Sequence, residues 1–329
     1  MAKIGIIGAG SWGFALALLL HKNGHEVTVW SALPDEIASL RATHEHPALA
    51  GVKMPLEIAL TTELTETVNE KDFLVLAVAS PFVRQTAHKL PDICLANMII
   101  VNVAKGIEET SHKTMSQVIR EEVPQARVAV LSGPSHAEEV GRGIPTTIVI
   151  GADDNETAEY LQHAFMNEVF RVYRNYDVMG IELGAALKNV VALAAGIADG
   201  LGYGDNTKAA LITRGISEIA RLGTAMGCNA ETFYGLSGIG DLIVTCASMH
   251  SRNRRAGILI GQGKSMQKAM DEVKMVVEGV YSAKAGLALA REYKVATPII
   301  EQVNAVLFEG KDPSAAVKEL MLRDKKEED

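Results

Sequence analysis

A short apolar run, KIGII (Lys3–Ile7), meets the glycine string GAGSWG (Gly8–Gly13), and an apolar stretch follows from Ser11 to about Asn23. A strand, a glycine turn and a helix in that order leave few folds open. Gly8 permits the tight turn, Gly10 lets a pyrophosphate approach the backbone, and Gly13 allows the helix to pack close to the strand. Ser11 and Trp12 open the helix, where free N–H groups and the helix dipole favour a diphosphate. The spacing predicts a dinucleotide-binding unit with Gly8, Gly10, Ser11, Trp12 and Gly13 at the cofactor.

Further apolar runs extend the pattern: EVTVW (Glu26–Trp30), FLVLAV (Phe73–Val78), MIIVNV (Met98–Val103) and RVAVLSG (Arg127–Gly133). They are β-rich and mostly free of charge, as strands covered by helices on both faces must be. TTIVIG (Thr146–Gly151) and VFRVYR (Val169–Arg174), joined by a helix around Asn155–Met166, extend the sheet at one edge. After about Asp177 the strand signal fades and helical composition takes over, as in Met179–Leu201. The chain is therefore expected to be α/β: a Rossmann-like, doubly wound N-terminal sheet over residues 1–180, followed by an all-helical substrate and catalytic domain over 181–329. A length of 329 residues suits two such cores.

The net charge of −8 disfavours a nucleic-acid partner, because a phosphate backbone selects basic surfaces. Cys94, Cys228 and Cys246 are widely spaced, show no metal-ligand pattern and read as reduced, buried thiols of a cytoplasmic protein, with no metal site expected. No basic segment followed by an apolar core and cleavage site opens the chain, so no secretory signal is expected. The most apolar helical stretch, Ile181–Ile197, carries Glu182, Lys188 and Asn189, which argues against a membrane span.

Against this acidic background, MHSRNRRAG (Met249–Gly257) gathers Arg252, Arg254 and Arg255. A focused basic cluster in such a chain points to a small anion. The end of the second strand bears on the cofactor: Trp30–Ser31–Ala32 offers no acid for a ribose 2′-hydroxyl, and Glu26 lies too early. Both NAD and NADP are admitted, with a lean to NADPH.

LKNVVALAAGIADGLGYGDNTKAALITRG (Leu187–Gly215) and GLSGIGDLIVTCASMHSRNRRAG (Gly235–Gly257), with GAGSWG, VAKGIE and LSGPSHAEEV, closely resemble the bacterial-type NAD(P)-dependent sn-glycerol-3-phosphate dehydrogenases. The likeness runs in order over essentially the whole chain. It implies interconversion of sn-glycerol 3-phosphate and dihydroxyacetone phosphate, which serves glycerophospholipid synthesis, and it implies a homodimer.

The resemblance implies that Lys188 is the catalytic lysine, exchanging a proton with the substrate oxygen as hydride moves. Burial or a second cation, Lys105 being the candidate, would lower its pKa. Lys105, Gly133, Ser135, Lys188, Asp241, Ser251, Arg252 and Asn253 are implied at the substrate, with Thr245 a further candidate. Lys105, Ala137, Arg252 and Glu278 join the glycine turn as cofactor contacts. The Ser251–Arg252–Asn253 triplet is implied to grip the substrate phosphate, as an arginine fork suits phosphate oxygens. Arg254 and Arg255 read as a basic helix face without an assigned role, and Arg255 as solvated.

Two positions depart from the family pattern. Phe14 is bulkier than the residue usual after the glycine string, and Ala32 stands where many members carry a base. On the residues alone, a dehydrogenase of another small hydroxy acid and a non-catalytic NADP(H)-sensing regulator remain open. Joint presence of LKN, GIGDL and SRNRR favours the phosphate ester.

Overall fold

The computed structural model describes residues 1–90, 96–325 and 327. Cys94 lies outside them. The chain forms two compact units: Met1–Lys105 with Lys113–Glu182, and Gly106–His112 with Leu183–Asp329.

The first unit is built on one eight-stranded sheet of order β3-β2-β1-β4-β5-β6-β7-β8. Its strands are β1 (Lys3–Ile7), β2 (Glu26–Trp30), β3 (Ala59–Thr61), β4 (Phe73–Leu76), β5 (Ile99–Asn102), β6 (Arg127–Ser132), β7 (Thr146–Gly151) and β8 (Phe170–Asn175). β3 is the strand that patterning does not reveal, because three residues carry no readable period. All neighbours pair in parallel except β6 and β7, which run antiparallel with Leu131 opposite Ile150. The edge pair β7–β8 thus joins the parallel sheet through a reversal of direction.

The strands alternate between two cores. Ile4 and Ile6 of β1, with Phe73 and Val75 of β4, pack on one face beside Phe14 and Leu16. Ile7, Leu74 and Leu76 face the other, among Trp30, Val118 and Ile119. A period of two buried on both faces explains the unbroken apolar runs. Each fully buried aliphatic or phenyl side chain contributes about 1.5–3 kcal/mol before entropy is counted.

Eight helices carry the residues discussed below. In the first unit they are α1 (Ser11–Lys22) and α2 (Pro34–Thr43). α3 (Val178–Gly200) continues into the second unit, which holds α4 (Asp205–Ala225), α5 (Asp241–Ala247), α6 (Arg252–Gly261), α7 (Glu278–Glu292) and α8 (Pro298–Phe308). By length and composition α3 qualifies as a membrane span, but 94% of its apolar window is buried inside the protein, as befits a core helix.

In the second unit α3 and α6 meet through paired glycines. A Cβ on Gly196 would lie 2.2 Å from the Arg254 carbonyl oxygen, and one on Gly257 would lie 2.3 Å from that of Leu193. Gly200 and Gly261 repeat the relation one turn along. Side chains here would force the helices apart, so the glycines fix how the start of α6 is presented relative to α3.

Candidate active site

In the first unit the turn from β1 to α1 behaves as its glycines require. Gly8 has φ +124°, and its N–H donates to the Trp30 carbonyl at 2.9 Å, joining the turn to the end of β2. A Cβ on Gly13 would stand 2.0 Å from the Gly8 carbonyl oxygen, so no larger residue fits. Gly10 is different: a Cβ there would meet no described atom within 4 Å. The protein's own packing does not demand glycine at that point, and its bare backbone leaves room for close approach of a ligand. No side chain among the described residues caps α1, and no acid stands in its first turn. Its N–H groups suit a diphosphate. Phe14 is fully buried, its ring 5.8 Å from that of His46, which is how the helix accommodates the bulky side chain.

A carboxylate missing from the sequence expectation stands at the end of β2. Ser31, 4% exposed, donates its hydroxyl to Glu36 Oε2 at 2.5 Å. Glu36 lies in the first turn of α2 and folds back onto the strand end, five residues after the position where an acid was sought.

Elsewhere in the unit, Lys105 Nζ donates to the Gly133 carbonyl at 3.0 Å, and Ser135 Oγ donates to the same oxygen at 2.9 Å. Gly133 holds φ +146° where β6 ends, and Ala137 starts a short helix just beyond. Lys105, Gly133 and Ser135 thus form one cluster.

The second unit gathers the remaining candidates. Lys188 on α3 has a side chain 5% exposed, and Asp241 Oδ1 lies 3.2 Å from its ammonium. The ammonium donates to Thr245 Oγ1 at 2.7 Å and to Asn189 Oδ1 at 3.2 Å. It is therefore a held charge and not a lysine reaching for solvent. A π-helical turn, Leu236–Gly240, delivers Asp241 to the first position of α5. Within it a Cβ on Gly238 would collide with the Phe233 carbonyl at 2.0 Å. Thr245 donates to the Asp241 carbonyl at 2.6 Å, one turn back, which locks its rotamer with the oxygen lone pairs toward Lys188. The neighbouring Cys246 is buried, and burial pushes its thiol up to about 12, leaving it an inert core residue. Cys228 is likewise buried and unbridged.

At the start of α6 the arginines separate. Ser251 caps the helix, its Oγ accepting from the Arg254 N–H at 3.2 Å. Asn253 Oδ1 accepts from the Gly279 N–H at 2.8 Å and ties α6 to the start of α7. The Arg252 guanidinium, one third exposed, pairs with the nearly buried Glu278 at 3.5 Å. Arg254 is internal: Nε bonds Asp199 at 2.8 Å, Nη1 bonds the Ala247 carbonyl at 2.7 Å, and Lys208 shares Asp199 at 2.9 Å. Arg255 is not solvated as expected: its Nε is buried without a hydrogen-bond partner among the described residues. The basic helix face of the sequence expectation is therefore an internal clamp at Arg254 and a half-buried packing residue at Arg255.

A glycine-turn dinucleotide unit, joined to a helical unit holding a buried lysine–carboxylate pair, defines the class: a nicotinamide-dependent oxidoreductase. Family models described as the N-terminus and C-terminus of NAD-dependent glycerol-3-phosphate dehydrogenase match residues 3–158 and 177–318. A glycerol-3-phosphate dehydrogenase [NAD(P)+] of Agathobacter rectalis is 62% identical over 327 residues, 99% of this chain and 97% of the relative. One from Fusobacterium nucleatum is 60% identical over 329 residues, 99% and 98% of the two chains. The crystal structure of glycerol-3-phosphate dehydrogenase from Coxiella burnetii superposes with a TM-score of 0.94 at 34% identity, covering 98% of this chain and 99% of that one. The chain belongs to the NAD-dependent glycerol-3-phosphate dehydrogenase family, and its cofactor is NAD or NADP.

Proposed function

We propose that the protein interconverts sn-glycerol 3-phosphate and dihydroxyacetone phosphate and supplies glycerol 3-phosphate for glycerophospholipid synthesis. The first unit binds the dinucleotide at the Gly8–Gly13 turn, and the second carries substrate recognition and proton transfer. The bound nicotinamide supplies hydride in the reductive direction and takes it in the oxidative one.

The observation that carries this reading is the buried Lys188 ammonium held by Asp241 and Thr245. In reduction Lys188 gives a proton to the oxygen at the substrate's second carbon; in oxidation it takes that proton from the alcohol. Asp241 and Thr245 fix the amine and balance its charge. Arg252 offers its planar fork to the phosphate at the N-terminus of α6, supported by Ser251 and Asn253. The family resemblance further supports Lys105, Gly133 and Ser135 as substrate residues, and Lys105, Ala137, Arg252 and Glu278 as cofactor residues. Family likeness also supports a homodimer, which sedimentation tests; the free thiols of Cys228 and Cys246 support a cytoplasmic location.

The direct test follows reduced-nicotinamide absorbance after addition of a carbonyl substrate. Dihydroxyacetone phosphate is expected to be reduced, with unphosphorylated dihydroxyacetone and small 2-oxo acids turned over far more slowly. A 2-oxo acid preferred over dihydroxyacetone phosphate would contradict the proposal.

A further inference from the structure

From the end of β2 we infer that Glu36 is the residue that selects the dinucleotide, binding the adenosine ribose 2′-hydroxyl of NAD(H) and excluding the 2′-phosphate of NADP(H). The inference rests on the placement of the dinucleotide at the Gly8–Gly13 turn proposed above.

Three observations converge on it. First, position: in a doubly wound sheet a dinucleotide lies across the carboxyl ends of the strands, with its adenosine ribose beside the end of the second strand. Gly8 is bonded to Trp30 there, and Ile7 is level with Trp30 in the parallel pair, so the turn and the Glu36 carboxylate lie at the carboxyl ends of adjacent strands. Second, hydrogen-bond capacity: the Ser31 hydroxyl gives its single proton to Glu36 and accepts from the Leu33 N–H at 3.1 Å. It has no donor left for a phosphate, while Glu36 keeps its second carboxylate oxygen to accept from ribose hydroxyls.

Third, charge. The neighbouring strand end repeats the arrangement, with Thr61 Oγ1 donating to Glu66 at 2.6 Å. Asp35, Glu36, Glu63 and Glu66 crowd these two strand ends, and the sequence from Ser31 to Asn69 contains only two cations, Arg41 and Lys53. Arg41 donates to the Leu60 carbonyl at 2.5 Å, and Lys53 pairs with Glu45 at 2.7 Å. A 2′-phosphate would meet carboxylates at both strand ends, while the two cations of this segment bond elsewhere. The lean toward NADPH depended on the absence of an acid at this strand end, and Glu36 removes its ground.

The test measures dissociation constants by calorimetry for NADH, NADPH, adenosine 5′-diphosphate and adenosine 2′,5′-bisphosphate, first on the wild-type protein. Hydrogen bonds to a carboxylate, with phosphate repulsion, predict NADH tighter than NADPH by about tenfold or more, and the same order for the two adenosine nucleotides. Glu36→Gln is expected to shrink that ratio several-fold. Ser31→Ala, which frees the carboxylate from the strand end, is expected to shrink it too and serves if Glu36→Gln does not fold by circular dichroism. Equal or tighter binding of NADPH by the wild type, or a ratio unchanged in the folded variants, overturns the inference while leaving the dinucleotide turn intact. Failure of every one of these nucleotides to bind overturns the turn itself, and this inference with it.

Discussion

Arg252 differs from Arg254 and Arg255 in what its guanidinium touches: a single carboxylate, Glu278, with one third of the side chain open to solvent. On these grounds it is the member of the cluster that we propose for the phosphate. Arg252→Lys keeps the charge but loses the bidentate fork. Hydrogen bonds to charged groups are worth about 1.5–3 kcal/mol, so kcat/KM for dihydroxyacetone phosphate is expected to fall about tenfold or more, with a clearly smaller loss for dihydroxyacetone, which shares only the cofactor contact. Arg255 is unsuitable as the control because its Nε is buried; the exposed Arg291 serves instead, and Arg291→Lys is expected to be silent. Equal losses on both substrates would remove the phosphate role. Motif likeness distinguishes Arg252 in the sequence, but the division of labour among the arginines is not legible there. It depends on Asp199 and Glu278, which only tertiary packing brings in. Glu36 escapes notice for a related reason: its bond to Ser31 turns back from a helix, while a strand-end rule inspects the strand's own last residues.

Among the elements, long periodic segments are the legible ones. α1 and seven of the eight strands follow from apolar patterning to within a residue or two, whereas β3 and the reversal at β6–β7 follow from pairing energetics that no local pattern encodes. The glycine-to-glycine contact of α3 with α6 is visible only after the helices meet. A charged example lies between α4 and α8. Glu218 on α4 is buried and accepts from the Ile299 N–H at 2.9 Å and the Ile300 N–H at 3.4 Å, capping the start of α8. Burial outweighs those bonds and raises its carboxyl from the ordinary 4.5 to about 7. Below 4.5 both folded and unfolded states hold the proton, and the contribution is complete. Between 4.5 and about 7 the unfolded state ionises first, so stability declines as pH rises and the contribution is lost above about 7. The effect is on the order of 3 kcal/mol. Glu218→Gln, which cannot ionise, is expected to flatten the fall in Tm between about pH 5 and pH 8 relative to wild type. Parallel profiles for the two proteins would refute this.

At the level of the whole molecule, two units of different construction hold different features: a glycine turn at the carboxyl end of an inner strand, and an ammonium buried among helices. The change from strand to helix composition near Asp177 makes this organisation legible, since parallel strands and amphipathic helices demand different periods. The chemistry is harder to read. A lysine in an apolar helix ordinarily reaches for solvent, and nothing in the local sequence shows that Asp241 and Thr245 enclose Lys188. Its role as proton donor and acceptor is the centre of the account, and Lys188→Arg tests it most directly. Arginine preserves the charge opposite Asp241, avoiding the cost of about 3–5 kcal/mol for leaving a buried carboxylate alone, yet it does not release its proton. The measurement is the single-turnover rate of dihydroxyacetone phosphate reduction in Lys188→Arg, alongside its affinity for the reduced dinucleotide. The account predicts a rate lower by about 10²–10⁴ with dinucleotide affinity unchanged. A folded variant that binds the dinucleotide and turns over near the wild-type rate would contradict it.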